Sequence, residues 1–190
     1  FGGGKAYWTP HSTQDSMRKD EIDLLTQAKK QGYTFLYDRK QFADIKGQYV
    51  LGLFQQKALT TISPEPMLAE MTYNAIQLLN KKPKRLFNQD KGFFLMVEGS
   101  QIDWACHAND VHNCVKQTLL FDEAVKVAVE FAMKDKNTLV IVTADHETGG
   151  LIVKGDDVNN PKHIKWSSGS HSAMPVPVYA YGPLSKGFAG

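Results

Sequence analysis

Six side chains able to bind a metal ion stand at the ends of apolar runs in this chain. Phe93-Phe94-Leu95-Met96-Val97 leads straight into Glu98-Gly99-Ser100-Gln101-Ile102-Asp103, with His107 four residues further on. Thr138-Leu139-Val140-Ile141-Val142-Thr143-Ala144 is followed at once by Asp145-His146, and His171 precedes a third run, Val176-Pro177-Val178-Tyr179-Ala180-Tyr181. In an open α/β sheet, ligands gather beyond the carboxyl ends of the parallel strands. Carboxylates and imidazoles collected at such an edge are the donors that a hard or borderline cation requires. Glu98, Asp103, His107, Asp145, His146 and His171 therefore predict the site of a metal-dependent hydrolase.

Each member also has a duller reading. Asp103 and His107 are one helical turn apart and point the same way. Stepping on by three or four gives Val111, Cys114, Thr118, Phe121, Val125, Ala128 and Ala132. That stripe predicts one continuous helix with its polar start on the buried face, where an unpaired carboxylate is costly. The pair equally suits a carboxylate complementing the helix dipole beside a hydrogen-bonded histidine. Adjacent residues on a strand point to opposite faces, so Asp145 and His146 share a site only if the chain turns there. Thr148-Gly149-Gly150 makes such a turn easy, although an Asp that caps the next turn fits too. Glu98 precedes Gly99, which permits close backbone approach, and a lone carboxylate helped by waters suits magnesium. His171, in Ser167-Ser168-Gly169-Ser170-His171-Ser172, reads by itself as a solvated loop residue, with His112 and His163 as weaker competitors. No GxSxG elbow, GxxxxGK[ST] loop or strand-linked GxGxxG is present, which argues against a serine-hydrolase elbow and a nucleotide cradle.

The elements that must position these groups follow from periodicity. Helices are predicted over Asp20–Gln31 and Met67–Asn80, strands over Tyr33–Tyr37 and Tyr49–Phe54, and a polar basic link over Lys81–Lys91. Strands alternating with helices predict an α/β fold with a mainly parallel sheet flanked by helices. A length of 190 residues predicts one domain. A net charge of +2 with scattered lysines gives no case for nucleic acid. No apolar stretch approaches the ~20 residues of a membrane span, so no membrane partner is expected. On a continuous helix Cys106 and Cys114 stand about 12 Å apart, too far for a disulfide, and read as buried inert thiols. The first residue is Phe1 and not Met, which reads as a piece of a longer chain; the missing signal peptide then says nothing of compartment.

The run Val97-Glu98-Gly99-Ser100-Gln101-Ile102-Asp103, with His107 beyond it, resembles the alkaline phosphatase family. So do Asn137 to His146, Leu51-Gly52-Leu53-Phe54, Leu68-Ala69-Glu70-Met71-Thr72, and His171 ahead of Val178-Tyr179-Ala180-Tyr181-Gly182-Pro183. The resemblance spans nearly the whole chain and implies that residues 1–190 are a partial alkaline-phosphatase-like domain, incomplete at both ends. It implies that Asp103, His107 and His171 hold one zinc, that Asp145 and His146 hold a second, and that Glu98 holds magnesium. It also implies hydrolysis of phosphate monoesters through a phosphoserine. In the family that serine, and a phosphate-clamping arginine, lie upstream of these motifs. Arg18, Arg39 and Arg85 are the arginines here, none beside a recognisable nucleophile motif. The chain alone is therefore not expected to turn over substrate, and no catalytic residue beyond the metal ligands is assigned. Small phosphate monoesters and inorganic phosphate are the implied partners, with a possible homodimer of the full-length protein in the periplasm or outside the cell. Phosphodiesterases and sulfatases share a related metal core and form one alternative; a non-catalytic metal-binding domain is another.

Overall fold

The structure, a computed structural model, describes residues 1–81, 92–155 and 163–188. Arg85 and most of the expected polar link lie outside the described residues. The chain divides into two compact units, Phe1–Phe93 and Phe94–Gly190.

In the first unit, helix α1 (Leu24–Lys30) starts later than its periodicity predicts. Asp23 is the reason: its carboxylate accepts the Thr26 amide at 2.9 Å and the Thr26 hydroxyl at 2.7 Å, which fixes it as the cap. Asp20 is instead held by a two-pronged pair with Arg18, at 2.7 and 2.6 Å. Strands β1 (Tyr33–Leu36) and β2 (Tyr49–Gly52) pair in parallel, Tyr33 opposite Tyr49 and Leu36 opposite Gly52. Helix α2 (Leu68–Leu79) falls within one residue of its predicted bounds, and its buried residues are Met71, Thr72 and Ile76. Leu36, Phe42 and Met71 form the core, with Ile45, Val50, Phe54, Leu59 and Leu68 packed against it. Parallel strands need a covered crossover, and residues from the β1–β2 connection (Phe42, Ile45) help supply this core.

The second unit departs from expectation in three places. The apolar run ahead of Glu98, placed at a sheet edge by the sequence, forms no strand: residues 92–99 run without regular structure, and Phe94 is 88% exposed. Its side chains suit a strand, but a ladder is a property of two segments and composition supplies only one. The expected single helix is two, α3 (Gln101–His107) and α4 (Val111–Asp135). Asn109 adopts a left-handed φ of 52°, and the Asp110 carboxylate accepts the Asn113 amide at 3.0 Å to cap α4. The buried face of α4 therefore carries Cys114, Gln117, Ala124 and Ala132, so that Gln117 replaces the expected Thr118. Thirdly, the break folds the two cysteines together, their Sγ atoms 3.3 Å apart. The 12 Å separation held only for an unbroken helix.

Strand β3 (Val140–Thr143) pairs antiparallel with β8 (Val178–Tyr181), Thr143 opposite Val178. Between them β4 (Glu147–Thr148) pairs antiparallel with β7 (His171–Ser172), and β5 (Leu151–Val153) with β6 (Ile164–Trp166). The fold is of the α/β class, with the parallel component among the described ladders confined to β1–β2 and its Gly2–Leu53 bridge. No helix among the described residues is long and apolar enough to cross a membrane.

Leu36 is 3% exposed at the centre of the first core. Leu36→Ala is expected to lower stability by about 2–5 kcal/mol through lost burial and the cavity left behind. A urea titration followed by circular dichroism measures it; a shift of less than about 1 kcal/mol means that the core collapses around the gap.

Candidate metal site

Helix α3 projects Asp103 and His107 from successive turns, as their spacing predicts. Asp103 Oδ1 lies 3.5 Å from His107 Nε2 and 3.5 Å from His171 Nε2, and the two imidazole nitrogens are 3.0 Å apart. One donor atom from each residue falls within 4.8 Å of the others. His171 comes from far along the chain and stands on β7, not in a loop as its Ser/Gly-rich surroundings predict. Its register partner is Thr148, which fixes its place beside Asp103.

The second predicted pair lies alongside. The chain bends at Asp145–His146 directly after β3, so both side chains turn to one side: Asp145 Oδ2 and His146 Nε2 are 3.2 Å apart. The His146 ring stacks on that of His171 with centroids 3.6 Å apart. Asp145 is 88% exposed. Glu98 is exposed on the irregular segment before α3, and among the described residues it does not join the group of donors around Asp103.

The protons on these rings are fixed by neighbours. His107 Nδ1 lies 2.7 Å from the Gly169 carbonyl oxygen, which can only accept, so Nδ1 carries the hydrogen. Neutral His107 then presents a lone pair at Nε2, facing Asp103 and His171. The Thr148 hydroxyl donates to Asp103 Oδ1 at 2.7 Å and lies 3.2 Å from His146 Nδ1. With its single hydrogen given to Asp103, it accepts from His146 Nδ1–H, which turns the His146 Nε2 lone pair toward Asp145. Lone pairs and carboxylate oxygens thus converge in both clusters. Such a set is stable only around positive charge, either protons or a cation. Two imidazoles with one carboxylate are borderline donors that suit zinc, with room for a further ligand.

Sequence reading missed the residues that hold this arrangement. Thr148 is 8% exposed, and the sequence assigned it only to a turn. Glu147 accepts the Gly150 amide at 2.7 Å with one oxygen and the Ser172 hydroxyl with the other, which ties β4 to β7. Gly149 has φ 88°, and a Cβ there would lie 2.7 Å from the Trp166 ring and 2.9 Å from the Cys106 carbonyl. Only glycine fits. The alternation of Glu147 and Thr148 before Gly-Gly was the one available signal, since it marks a short strand entering a tight turn. Gly99 behaves as its sequence context predicts: a Cβ there would press on Phe121 at 2.9 Å, so its absence lets the segment before α3 lie against α4.

Residues 1–165 match the family model described as alkaline phosphatase. The chain belongs to the alkaline phosphatase family. It is 33% identical to alkaline phosphatase 3 of Bacillus subtilis (strain 168), over 100% of this chain and 54% of that protein. The solved alkaline phosphatase of the Antarctic bacterium TAB5 superposes with a TM-score of 0.81 at 36% identity, covering 98% of this chain and 54% of that one. A variant of the TAB5 enzyme, solved with Mg bound, superposes at 0.79 with 34% identity. The chain therefore spans about half the length of these relatives.

Neutral His107 is expected to be the Nδ1–H tautomer. Long-range ¹H–¹⁵N NMR of the imidazole nitrogens reads this directly, and an Nε2–H pattern would mean that the Gly169 bond does not form in solution.

Proposed function

We propose that residues 1–190 are part of a phosphomonoesterase domain and carry most of its metal ligands. In this reading Asp103, His107 and His171 hold one zinc, Asp145 and His146 a second, and Glu98 a magnesium. The observation that carries it is the meeting of Asp103, His107 and His171 from positions up to 68 residues apart, with the proton of His107 already held on the far side of its ring. Family membership supplies the reaction class.

Bound cations would polarise a phosphoryl oxygen and favour ionisation of a hydroxyl nucleophile. The chain's own part is to fix the donors. Gly169 orients His107 through Nδ1, and Thr148 holds one oxygen of Asp103 while spanning the distance to His146. Such outer hydrogen bonds set ligand tautomer and basicity. The reaction would run through a phosphoserine whose serine, like the residues that clamp phosphate, stands outside these 190 residues. Substrates would be small phosphate monoesters, with inorganic phosphate as product. A homodimer acting in the periplasm or outside the cell completes the reading.

Hydrolysis of p-nitrophenyl phosphate by the full-length protein tests it. Activity is expected to vanish on dialysis against a chelator and to return with zinc and magnesium, and His171→Ala is expected to remove the zinc response. Hydrolysis untouched by chelation, or confined to sulfate esters, would overturn the proposal. Thr148→Val is expected to weaken zinc binding about 10–100-fold without unfolding the chain. Competition with a chromophoric chelator measures this, and unchanged affinity would show that Thr148 merely packs.

A further inference from the structure

Cys106 is the penultimate residue of α3, next to His107, and Cys114 opens the buried face of α4. Their Sγ atoms are 3.3 Å apart, and each residue is 8% exposed. Around them lie Ala105, Ile102 and the Trp166 ring. Both thiols are free in this structure. What brings them together is the break at residues 108–110, which several bonds fix. The Asn109 amide nitrogen bonds the Cys106 carbonyl at 3.0 Å, and the Asp110 amide bonds that of Ala105 at 2.9 Å. The Asn109 side chain, its amide nitrogen turned inward, donates to the carbonyls of Ser168 and Cys106 at 2.9 and 3.0 Å. The sulfur atoms therefore meet because the turn is built that way.

We propose that Cys106 and Cys114 form an intrachain disulfide that locks the α3–α4 turn behind the candidate metal site. The sulfur atoms need to approach by little more than 1 Å to reach the bond length of about 2.05 Å. The segment between them is short, so ring closure costs little entropy. The oxidant is a disulfide, either a small one such as oxidised glutathione or a dithiol-exchanging protein. One cysteine, as thiolate, attacks a sulfur of that disulfide and expels a thiol; the second cysteine attacks the resulting mixed disulfide and expels the other. Two protons and two electrons pass from the chain to the oxidant, which leaves as two thiols.

Both sulfur atoms are covered, so attack on an outside disulfide from the folded state is slow, which places bridge formation during folding while the turn is still open. Once formed, the bond joins the helix carrying Asp103 and His107 to the long α4. The Ser168–Gly169 loop, which holds the His107 proton, hangs on the same turn through Asn109.

The full-length protein is refolded in a glutathione redox buffer, unfolded in urea with iodoacetamide, and digested. Trypsin releases Gly92–Lys116 with both cysteines inside. The expected peptide lacks two hydrogens and takes up no label until it is reduced; cleavage before Asp110 leaves its halves joined. Cys114→Ser is expected to leave Cys106 open to label. Reduction of the bridged protein should lower its melting temperature by about 5 °C. Full labelling of both cysteines without reduction, or their recovery in disulfides between chains, overturns the proposal. A bridge whose reduction leaves the melting temperature unchanged overturns the locking role.

Discussion

Electron pairs pointed at one another without an intervening positive charge repel, and the second unit of this chain is arranged around such a meeting. His107 gives its hydrogen to the Gly169 carbonyl and so faces Asp103 and His171 with a lone pair. His146, through Thr148, is left facing Asp145 in the same way. A folded chain bears this only where a proton or a cation supplies the missing charge. Protons could satisfy each contact singly. One divalent ion would satisfy Asp103, His107 and His171 together, and the fixed tautomer of His107 is the form such an ion would need.

Small pieces of backbone hold these acceptors in place. The ladder between β4 and β7 is only two residues on each side, yet it sets Thr148 opposite His171 and Glu147 opposite Ser172. One pair carries a metal-type donor and the hydroxyl that steadies Asp103. The other carries the carboxylate bond that closes the ladder. Gly149 then lets the chain turn under the Trp166 ring without steric conflict. Closing a segment of this length on itself costs conformational entropy. The buried hydroxyl and carboxylate contacts, together with the Trp166 packing, offset it where long strands would otherwise do so.

Much of this was legible in the sequence where local periodicity sets geometry. Asp103 and His107 lie one turn apart on a helix, and α2 was placed to within a residue because its apolar stripe is strong. The bend at Asp145–His146 was expected from Thr148-Gly149-Gly150, but it precedes β4, and the glycines turn the chain only after that strand. His171 was marked by its place before an apolar run, but the strand it stands on was not legible, because a polar loop looks the same whether or not it carries a two-residue ladder. The break between α3 and α4 was written as Asn109-Asp110 with Asn113 three residues on, a helix-start signal that the longer apolar stripe outweighed. That one oversight also separated the two cysteines. The apolar run Phe93–Val97 has strand composition but lies in a stretch without regular structure, and pairing is a property of two segments that no single run can announce.

Exposure separates a working metal site from a merely structural one. Structural zinc sites are closed, with four protein ligands and no open position, whereas catalytic ones keep three ligands and a face toward solvent. Here the side chains of Asp103, His107 and His171 are 33%, 38% and 48% exposed, and those of the adjoining His146 and Asp145 are 29% and 88% exposed. The groups that position them are covered: Thr148 and Cys106 are each 8% exposed. Donors open to solvent on a buried support are poorly suited to stapling a fold, since a cation there adds little that the support does not already provide. They are well suited to presenting a cation to an incoming anion. That contrast is the one expected of the proposed catalytic site, and a closed structural site would show the reverse.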